Sequence, residues 1–301
     1  MFEALIDRIE REERLSVVAE KLKGKLEPLV GHGVVRDVLT GRWLGHSAHP
    51  AVVVAPLAGW FGGTLLDVVG GPGSASAARR LIGVGTLAAM PAAMTGAAEW
   101  LTTDSAEERV GTAHAALADG ATAMYAFSWL LRVRRHDRAA ITAALIGASL
   151  AGATAFVGGH LSFRRGVGVT TVAFQSGPSD WAPLHLDAEP SAEHPVRATA
   201  DGVVYVVVAA PPESSASTGV SRAPHVMESR CSHRGGPLHE GSVVDGCVEC
   251  PWHGARFDLD TGAVRRGPAA APQPVYEVDV SGDETMIRRE ELGGLRSNST
   301  S

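Results

Sequence analysis

The chain has 301 residues, which leaves room for two domains of roughly 100–200 residues each. Its net charge of −6 gives no support to a nucleic-acid partner, and its three cysteines are too few for a disulfide scaffold. Mean hydropathy is +0.06 although 20% of the residues are charged, so very apolar and very polar regions must coexist in the chain.

Residues 1–34 are predicted to form an amphipathic N-terminal helix. Apolar residues recur at helical spacing between Phe2 and Leu29, among many glutamate, arginine and lysine residues. Pro28 and the glycines on either side of His32 end the pattern. Two placements of this helix are open: on a bilayer surface, or packed on a soluble neighbour.

Four apolar stretches follow, and each is close to the ~20 residues that a membrane-spanning helix needs. They are rich in alanine, glycine, serine and threonine, which let membrane helices approach closely. A soluble helical bundle is the alternative, because Asp67, Asp119 and several glycines weaken the hydropathy. In a membrane both aspartates should face the bundle interior. The predicted spans are Ala51–Gly70, Leu81–Leu101, Thr112–Leu131 and Ala139–His160.

Residues 35–165 carry three short motifs: Trp43-Leu-Gly-His46-Ser-Ala-His49-Pro50, Gly111-Thr-Ala-His114 and Gly158-Gly159-His160-Leu161-Ser162. Through these motifs the region resembles an uncharacterised family of bacterial four-helix membrane proteins, a domain of unknown function. The resemblance implies a four-span transmembrane domain in the cell membrane. It implies no known reaction, so the function of this region has to be argued from individual residues.

Alternation of the four spans places His49, His114 and His160 at the same membrane surface, which we call side A. Facing imidazoles inside a helical bundle are suitable ligands for haem iron. These histidines are therefore the candidates for a haem b or quinone site. The alternative is that each of them caps a neighbouring helix or meets lipid headgroups.

Residues 166–290 are predicted to form a strand-rich domain, and residues 291–301 a disordered tail. Val203–Ala209 is a nearly continuous β-branched run of the kind found in buried strands. Val275–Val280 and Met286–Arg289 are predicted to form a closing hairpin. The predicted fold class is therefore multi-domain α plus β, with an N-terminal four-helix transmembrane bundle before an all-β domain.

The most specific chemical pattern lies in this C-terminal region. Cys231 and His233 form a C-x-H pair, and Cys250 and His253 form a C-x-x-H pair, with 16 residues between the two pairs. A zinc finger normally separates its two cysteines from its two histidines, whereas each pair here offers one thiolate and one imidazole. That arrangement suits a [2Fe–2S] cluster in which two cysteines hold one iron and two histidines hold the other.

These pairs resemble the cluster-binding loops of the Rieske iron–sulfur family, whose ligands map onto Cys231, His233, Cys250 and His253. The resemblance implies that these four residues bind a Rieske-type [2Fe–2S] cluster, so that iron is the expected metal. Zinc binding and four unliganded side chains are the alternatives. The remaining cysteine, Cys247, is interpreted as a small buried strand residue.

The leading functional interpretation is a membrane-anchored electron carrier that passes one electron at a time between a membrane or quinone partner and a redox partner protein. A Rieske oxygenase subunit would need a second iron, held by two histidines and a carboxylate, in a large domain after the cluster. Only 48 residues follow His253, and none of them is histidine. No catalytic residue is therefore assigned. A redox-sensing membrane anchor is an alternative of a different class.

Respiratory quinol-oxidising Rieske subunits are the other alternative, because they too are membrane-anchored. Resemblance to that group would imply an extra cysteine in each loop, joined by a disulfide, but the matching positions here are Gly236 and Trp252. That group also has serine and tyrosine hydroxyls near the cluster, where this chain has Ala255 and Phe257. Donors to the cluster sulfurs raise the potential, so a lower, ferredoxin-like potential is predicted.

The charges of the loops predict an orientation in the membrane. The side-A loop has only Arg109, beside three acidic residues, whereas the side-B loops are rich in arginine. The positive-inside rule then places side B in the cytoplasm and the cluster domain outside; a cytoplasmic cluster domain is the alternative. Expected partners are a redox protein or the quinone pool, together with membrane lipid. The side-B arginines are Arg79, Arg80, Arg132, Arg134, Arg135 and Arg138.

Overall fold

The computed structural model of the protein describes residues 2–174, 177–210, 223–281 and 284–289. The chain divides into two compact units, Met1–Val169 and Thr170–Ser301, and each unit is described by itself below. The tail predicted at residues 291–301 lies outside the described residues.

The first unit is helical. Its last long helix continues directly into a π-helical turn, His160–Arg164. The α-helices are α1 (Phe2–Arg11), α2 (Arg14–Val30), α3 (Gly33–Leu39), α4 (His49–Val52), α5 (Val54–Val69), α6 (Ala75–Trp100), α7 (Ser105–Val133) and α8 (Asp137–Gly159).

The amphipathic region predicted over residues 1–34 is divided between α1, α2 and the start of α3. Helices α1 and α2 pack against α7 of the same unit, a placement that the sequence pattern did not indicate. Ile6 is buried with Val110 and Val157, so its apolar face is covered by the helical unit itself. Lys23 donates to the Thr103 carbonyl oxygen (2.5 Å) and ties α2 to the turn before α7.

Three helical stretches are long and apolar enough to cross a membrane: His49–Val69, Ala75–Trp100 and Asp137–Arg164. The predicted span Thr112–Leu131 lies within α7, and α7 does not qualify among the described residues. Polar residues within this stretch, such as His114 and Asp119, lower its mean hydropathy. The expected count of four spans is therefore not confirmed, whereas a helical N-terminal region with apolar candidate spans is.

Small residues bring the apolar helices together as two hairpins, α5 with α6 and α7 with α8. A Cβ on Gly59 of α5 would lie 2.6 Å from the Leu81 carbonyl oxygen of α6, so only glycine permits this approach. Between the hairpins the rings of Trp60 and Tyr125 stack with centroids 4.7 Å apart. The core of this unit thus combines close helix packing with a stacked aromatic pair.

The two aspartates of the predicted spans differ in burial. Asp67 faces the interior as predicted and forms a bidentate ion pair with Arg132, both side chains being 4% exposed. Asp119, which was also expected inside, is exposed instead. It shares the exposed face of α7 with Ala116 and Ala123, whereas Tyr125 is on the buried face.

The second unit is built from three antiparallel sheets. Their strand orders are β2-β3-β4-β5, β1-β11-β10 and β6-β7-β8-β9. The strands are β1 (Ala182–Pro183), β2 (His185–Leu186), β3 (Val196–Ala200), β4 (Val203–Val208), β5 (His225–Glu228), β6 (Ser242–Val244), β7 (Cys247–Glu249), β8 (Arg256–Asp258), β9 (Val264–Arg266), β10 (Tyr276–Ser281) and β11 (Glu284–Arg289).

The all-β prediction for this unit is confirmed. The run predicted at 203–209 is β4, whose alternate side chains enter two different hydrophobic cores. Val206 lies in the core that contains the cysteines, and Tyr205 lies in the core that contains Tyr276 and Ile287. Burial on both faces explains why the run is apolar without alternation. The predicted closing hairpin is β10–β11, with Val278 opposite Ile287.

Candidate functional site

Two loops of the second unit close with the same hydrogen bonds. In the first loop, after β5, Cys231 N–H donates to Gly236 O (2.9 Å) and Gly235 N–H donates to Cys231 O (2.8 Å). In the second loop, between β7 and β8, Cys250 N–H donates to Ala255 O (2.8 Å) and Gly254 N–H to Cys250 O (3.0 Å). Each loop therefore wraps around the cysteine at its start.

A glycine with positive φ makes each closure possible. Gly235 has φ of 78° and Gly254 has φ of 69°, both in the left-handed region that other residues rarely adopt. Each glycine turns the chain four residues after the cysteine, so the backbone folds back over the sulfur. The spacing of Cys and Gly in the sequence thus specifies the loop shape.

The two loops bring their cysteines together in the core. Cys231 and Cys250 are 1% and 3% exposed. A hydrogen bond between the thiols raises the pKa of Cys231 and lowers the pKa of Cys250 to about 6. Backbone N–H groups of His233 and Arg234 donate to the first sulfur, and those of Trp252 and His253 donate to the second. These donors all favour the thiolate form, which is the form that binds metal.

The two histidines of the predicted ligand set also meet. The ring centroids of His233 and His253 lie 5.1 Å apart, with the ring planes at 87°. Both residues are only half-buried, in contrast to the buried cysteines. Two thiols inside and two imidazoles towards the surface form a donor set that fits a [2Fe–2S] group with unlike irons.

Only glycine fits at position 236, beside the second cysteine. Gly236 is buried, and a Cβ at this position would lie 2.7 Å from Cys250 Sγ and 3.1 Å from the Trp252 ring. Gly236 and Trp252 are the positions at which quinol-oxidising relatives were expected to carry a disulfide. Here the indole of Trp252 lies against the Gly236 backbone, and all three cysteines are free.

Ala255 and Phe257 line the core beside the cysteines and are fully buried. Neither side chain carries a hydrogen-bond donor. Cys247 is 5% exposed in β7, as interpreted from the sequence, and burial raises the pKa of its thiol. It lies outside the convergence of the two loops, since its sulfur faces the Asp245 carbonyl oxygen (3.7 Å).

Gln273 braces the first loop, and sequence analysis missed it. Its Nε2 donates to the carbonyl oxygens of Glu228 (2.7 Å) and Arg230 (2.8 Å), and its Oε1 accepts from Ser232 N–H (3.0 Å). Thr171 Oγ1 adds a bond to Cys231 O (2.7 Å). The available signal was a polar residue between Pro272 and Pro274 in an extended segment, which does not indicate its partners.

Arg266 braces the second loop in a similar way. Its Nε donates to the Gly254 carbonyl oxygen (2.8 Å), and its guanidinium lies 3.3 Å from Glu249 Oε2. Glu249 also accepts from Arg256 Nε (2.5 Å). The charges of two arginines and one glutamate therefore hold β7, β8 and β9 around the loop.

The three histidines predicted near side A do not stay together. His49 and His114 have ring centroids 6.4 Å apart, at 77°. His160 is engaged elsewhere, because its Nε2 lies 3.0 Å from Glu10 Oε1. Glu10 also binds Arg165, so His160 belongs to a polar cluster that ties α1 to the end of α8. The expected set of three is reduced to a pair.

Comparison with known proteins settles the family of each unit. The Rieske [2Fe-2S] domain family matches residues 180–277. Residues 180–277 are a Rieske domain. The family described as "Predicted membrane protein (DUF2231)" matches residues 45–171. The chain therefore fuses a DUF2231 membrane-protein domain to a Rieske domain, which supports a [2Fe–2S] cluster and one-electron transfer, and it confirms both resemblances inferred from the sequence.

Two of the curated relatives are ferredoxins. The anthranilate 1,2-dioxygenase ferredoxin subunit of Burkholderia cepacia is 44% identical over 54 residues, which are 18% of this chain and 50% of that protein. Ferredoxin CarAc of Metapseudomonas resinovorans is 33% identical over 66 residues, 22% of this chain and 62% of that protein. This chain thus spans half to about three-fifths of the length of these ferredoxins.

Among solved structures, the ferredoxin of carbazole 1,9a-dioxygenase from Nocardioides aromaticivorans IC177 is 25% identical. It covers 37% of this chain and 100% of its own, with a TM-score of 0.30. A structure described as a complex of reduced oxygenase and oxidised ferredoxin in carbazole 1,9a-dioxygenase is 23% identical. It covers 38% of this chain and 98% of the matched chain, with a TM-score of 0.29.

Proposed function

We propose that the protein is a membrane-anchored Rieske ferredoxin, a carrier that takes one electron from a donor and passes it to a redox partner protein. One observation carries this proposal: two buried thiols and two half-buried imidazoles converge from two loops that close with the same backbone hydrogen bonds. When bound, a [2Fe–2S] cluster supplies one-electron chemistry at a potential tuned by its surroundings.

In this proposal Cys231 and Cys250 hold one iron, and His233 and His253 hold the other. The backbone N–H groups of both loops stabilise negative charge at sulfur. The partly exposed imidazole edges provide the route by which electrons enter and leave, because they are the ligands nearest the surface. The redox partner would dock over these histidines and the exposed Trp252, whose relative exposure is 58%.

The DUF2231 unit would anchor the carrier in the cell membrane. Its three apolar candidate spans support this role. Exchange with a membrane quinone is the finer form of the proposal. The ferredoxin relatives instead favour a protein donor or acceptor, since one of them is named as the ferredoxin subunit of anthranilate 1,2-dioxygenase. The domain boundaries proposed are 35–165 for the anchor and 166–290 for the Rieske domain.

Redox cycling in native membranes tests the proposal and separates a carrier from a redox sensor. Membranes from cells that express the chain are supplied with a respiratory donor, and the Rieske EPR signal is followed after rapid freezing. A carrier is reduced and reoxidised repeatedly at the rate of electron flow. A cluster that changes state once and stays there would instead identify a sensor. Membranes with Cys231→Ser provide the blank.

A further inference from the structure

His49 and His114 form a matched pair within the helical unit, quite separate from the Rieske ligands. His49 is the first residue of α4, the short helix just before the α5–α6 hairpin, and His114 lies in the third turn of α7 in the other hairpin. Their centroids are 6.4 Å apart. Each ring packs on a helical glycine: a Cβ on Gly96 would lie 2.8 Å from His49, and one on Gly158 would lie 3.0 Å from His114.

The hydrogen bonds of the two rings set their tautomers. His49 Nδ1 lies 3.0 Å from the Ala92 carbonyl oxygen, and His114 Nδ1 lies 3.1 Å from the Thr154 carbonyl oxygen. A carbonyl oxygen only accepts, so Nδ1 carries the proton in both rings, and each neutral ring keeps its lone pair on Nε2. Metal-bound histidines are held in this way, with the second nitrogen donating to a carbonyl.

The separation of the rings agrees with a shared metal. Metal–nitrogen bonds are about 2.0–2.1 Å long, so the observed centroid separation of 6.4 Å leaves room for one metal ion between the two imidazole rings. Two ring planes that share the ligand axis can take any angle about it, so the angle of 77° is compatible.

Two protein ligands alone are too few for a bare ion in a helical bundle. Among the described residues of the helical unit, no group of three or more histidine, cysteine, aspartate or glutamate side chains is placed to hold a metal. The other donor atoms to the metal must then come from a prosthetic group, as the four nitrogens of a porphyrin do. A quinone fits less well, because its carbonyl oxygens need donors, whereas both Nδ1–H groups are already used.

We infer that His49 and His114 are the two axial ligands of a haem held between the helix hairpins of the DUF2231 unit. His160 is excluded from this site by its contact with Glu10. The inference does not rest on the electron-carrier proposal, because it uses different residues in a different unit.

The test uses the full chain purified in detergent, with reduced-minus-oxidised optical spectra and a pyridine haemochrome assay. The wild type is expected to hold one haem per chain with the spectrum of a six-coordinate, low-spin haem. His49→Ala and His114→Ala should each lose that spectrum. His160→Ala is the matched control and should keep it. The helical circular dichroism and the thermal midpoint in detergent report folding of the helical unit in every variant, and a haem-free preparation is titrated with hemin.

The inference is overturned if neither the purified wild type nor the hemin titration gives a low-spin haem. It is also overturned if haem persists in both His49→Ala and His114→Ala, or if metal analysis finds zinc or copper in place of haem iron. Loss of haem with an unchanged helical circular dichroism and thermal midpoint supports the site. Loss of the Rieske signal with intact haem would count against the carrier proposal only.

Discussion

The imidazole rings of His233 and His253 meet edge to face, with centroids 5.1 Å apart, although they belong to separate loops. Neither loop provides more than one thiol and one imidazole, so a metal centre exists only when both loops are closed. The equivalent closures at Cys231 and Cys250 achieve this. Four predictions concern this site, the β unit around it and the helical unit, and a fifth concerns orientation.

The first prediction concerns the ligands. Cys231→Ser and Cys250→Ser should each abolish the cluster, because a hydroxyl is a poor substitute for a thiolate. Iron content and the EPR signal of the reduced protein measure the loss. His239→Ala is the control, since that ring contacts Ser229 Oγ (2.5 Å) and should be dispensable for the cluster. A normal Rieske signal in either serine variant would refute the ligand assignment.

The second prediction concerns the redox potential. Rieske centres span about −150 to +300 mV, and donors aimed at sulfur raise the potential. Ala255 and Phe257 are fully buried beside the cysteines and provide no hydroxyl. We expect a potential in the lower part of the range, and Ala255→Ser and Phe257→Tyr should raise it when the new hydroxyl reaches a sulfur.

Potentiometric titration followed by EPR measures these potentials. Phe257→Leu is the matched control for the second variant, because it changes the packing without adding a donor and should not raise the potential. A wild-type value near the top of the range would contradict the prediction and favour the quinol-oxidising alternative.

The third prediction concerns pH and Glu228, which is 1% exposed in β5. Burial raises the pKa of Glu228 from 4.5 to about 7. Between these pH values the folded state binds more protons than the unfolded state, so the free energy of unfolding falls as pH rises. The loss is about 3 kcal/mol between pH 4.5 and pH values above 7.

Glu228→Gln should remove most of this dependence, while Glu193→Gln, at an exposed position, should not change it. The measurement is the thermal midpoint for loss of the visible circular dichroism of the cluster, at pH 5 and pH 8. An equal decrease with pH in the wild type and in Glu228→Gln would show that another group is responsible.

The fourth prediction concerns the helical unit. Asp67→Asn leaves Arg132 buried without a counter-charge, and breaking a buried ion pair in this way costs about 3–5 kcal/mol. Thermal stability in detergent should therefore fall strongly. Asp119→Asn is the matched control, because Asp119 is exposed and should have little effect. If both variants are equally stable, the ion pair is not important for the bundle.

These outcomes indicate what the sequence could and could not predict. The two cluster-binding loops could be predicted from the sequence, because the cysteine, histidine and glycine of each loop lie within one short segment. The contact of His160 with Glu10 could not be foreseen, because the two residues are 150 positions apart in the sequence. Asp119 was misplaced because the exposed face of α7 depends on which helices pack beside it. Gln273 was missed because its role lies in backbone groups of a distant loop.

The fifth prediction concerns orientation. Arg132 is buried against Asp67, so it does not count as a loop charge. The remaining side-B arginines still outnumber the single arginine of the side-A loop. For a domain of four spans, the positive-inside rule predicts that the Rieske domain lies outside the cytoplasm. Protease added to intact cells should therefore cleave that domain, and lysed cells provide the control. Resistance in intact cells with cleavage after lysis would reverse the orientation.

Low-temperature EPR of the dithionite-reduced chain tests most directly whether it holds a [2Fe–2S] cluster with histidine ligands. Pulsed methods resolve the nitrogen hyperfine couplings. A Rieske ferredoxin should give one reduced [2Fe–2S] cluster per chain, with couplings from two histidine nitrogens on the reduced iron. His253→Cys should lower the number of coupled nitrogens if any cluster remains. A reduced protein without an iron–sulfur signal, or a cluster without nitrogen couplings, would contradict the account.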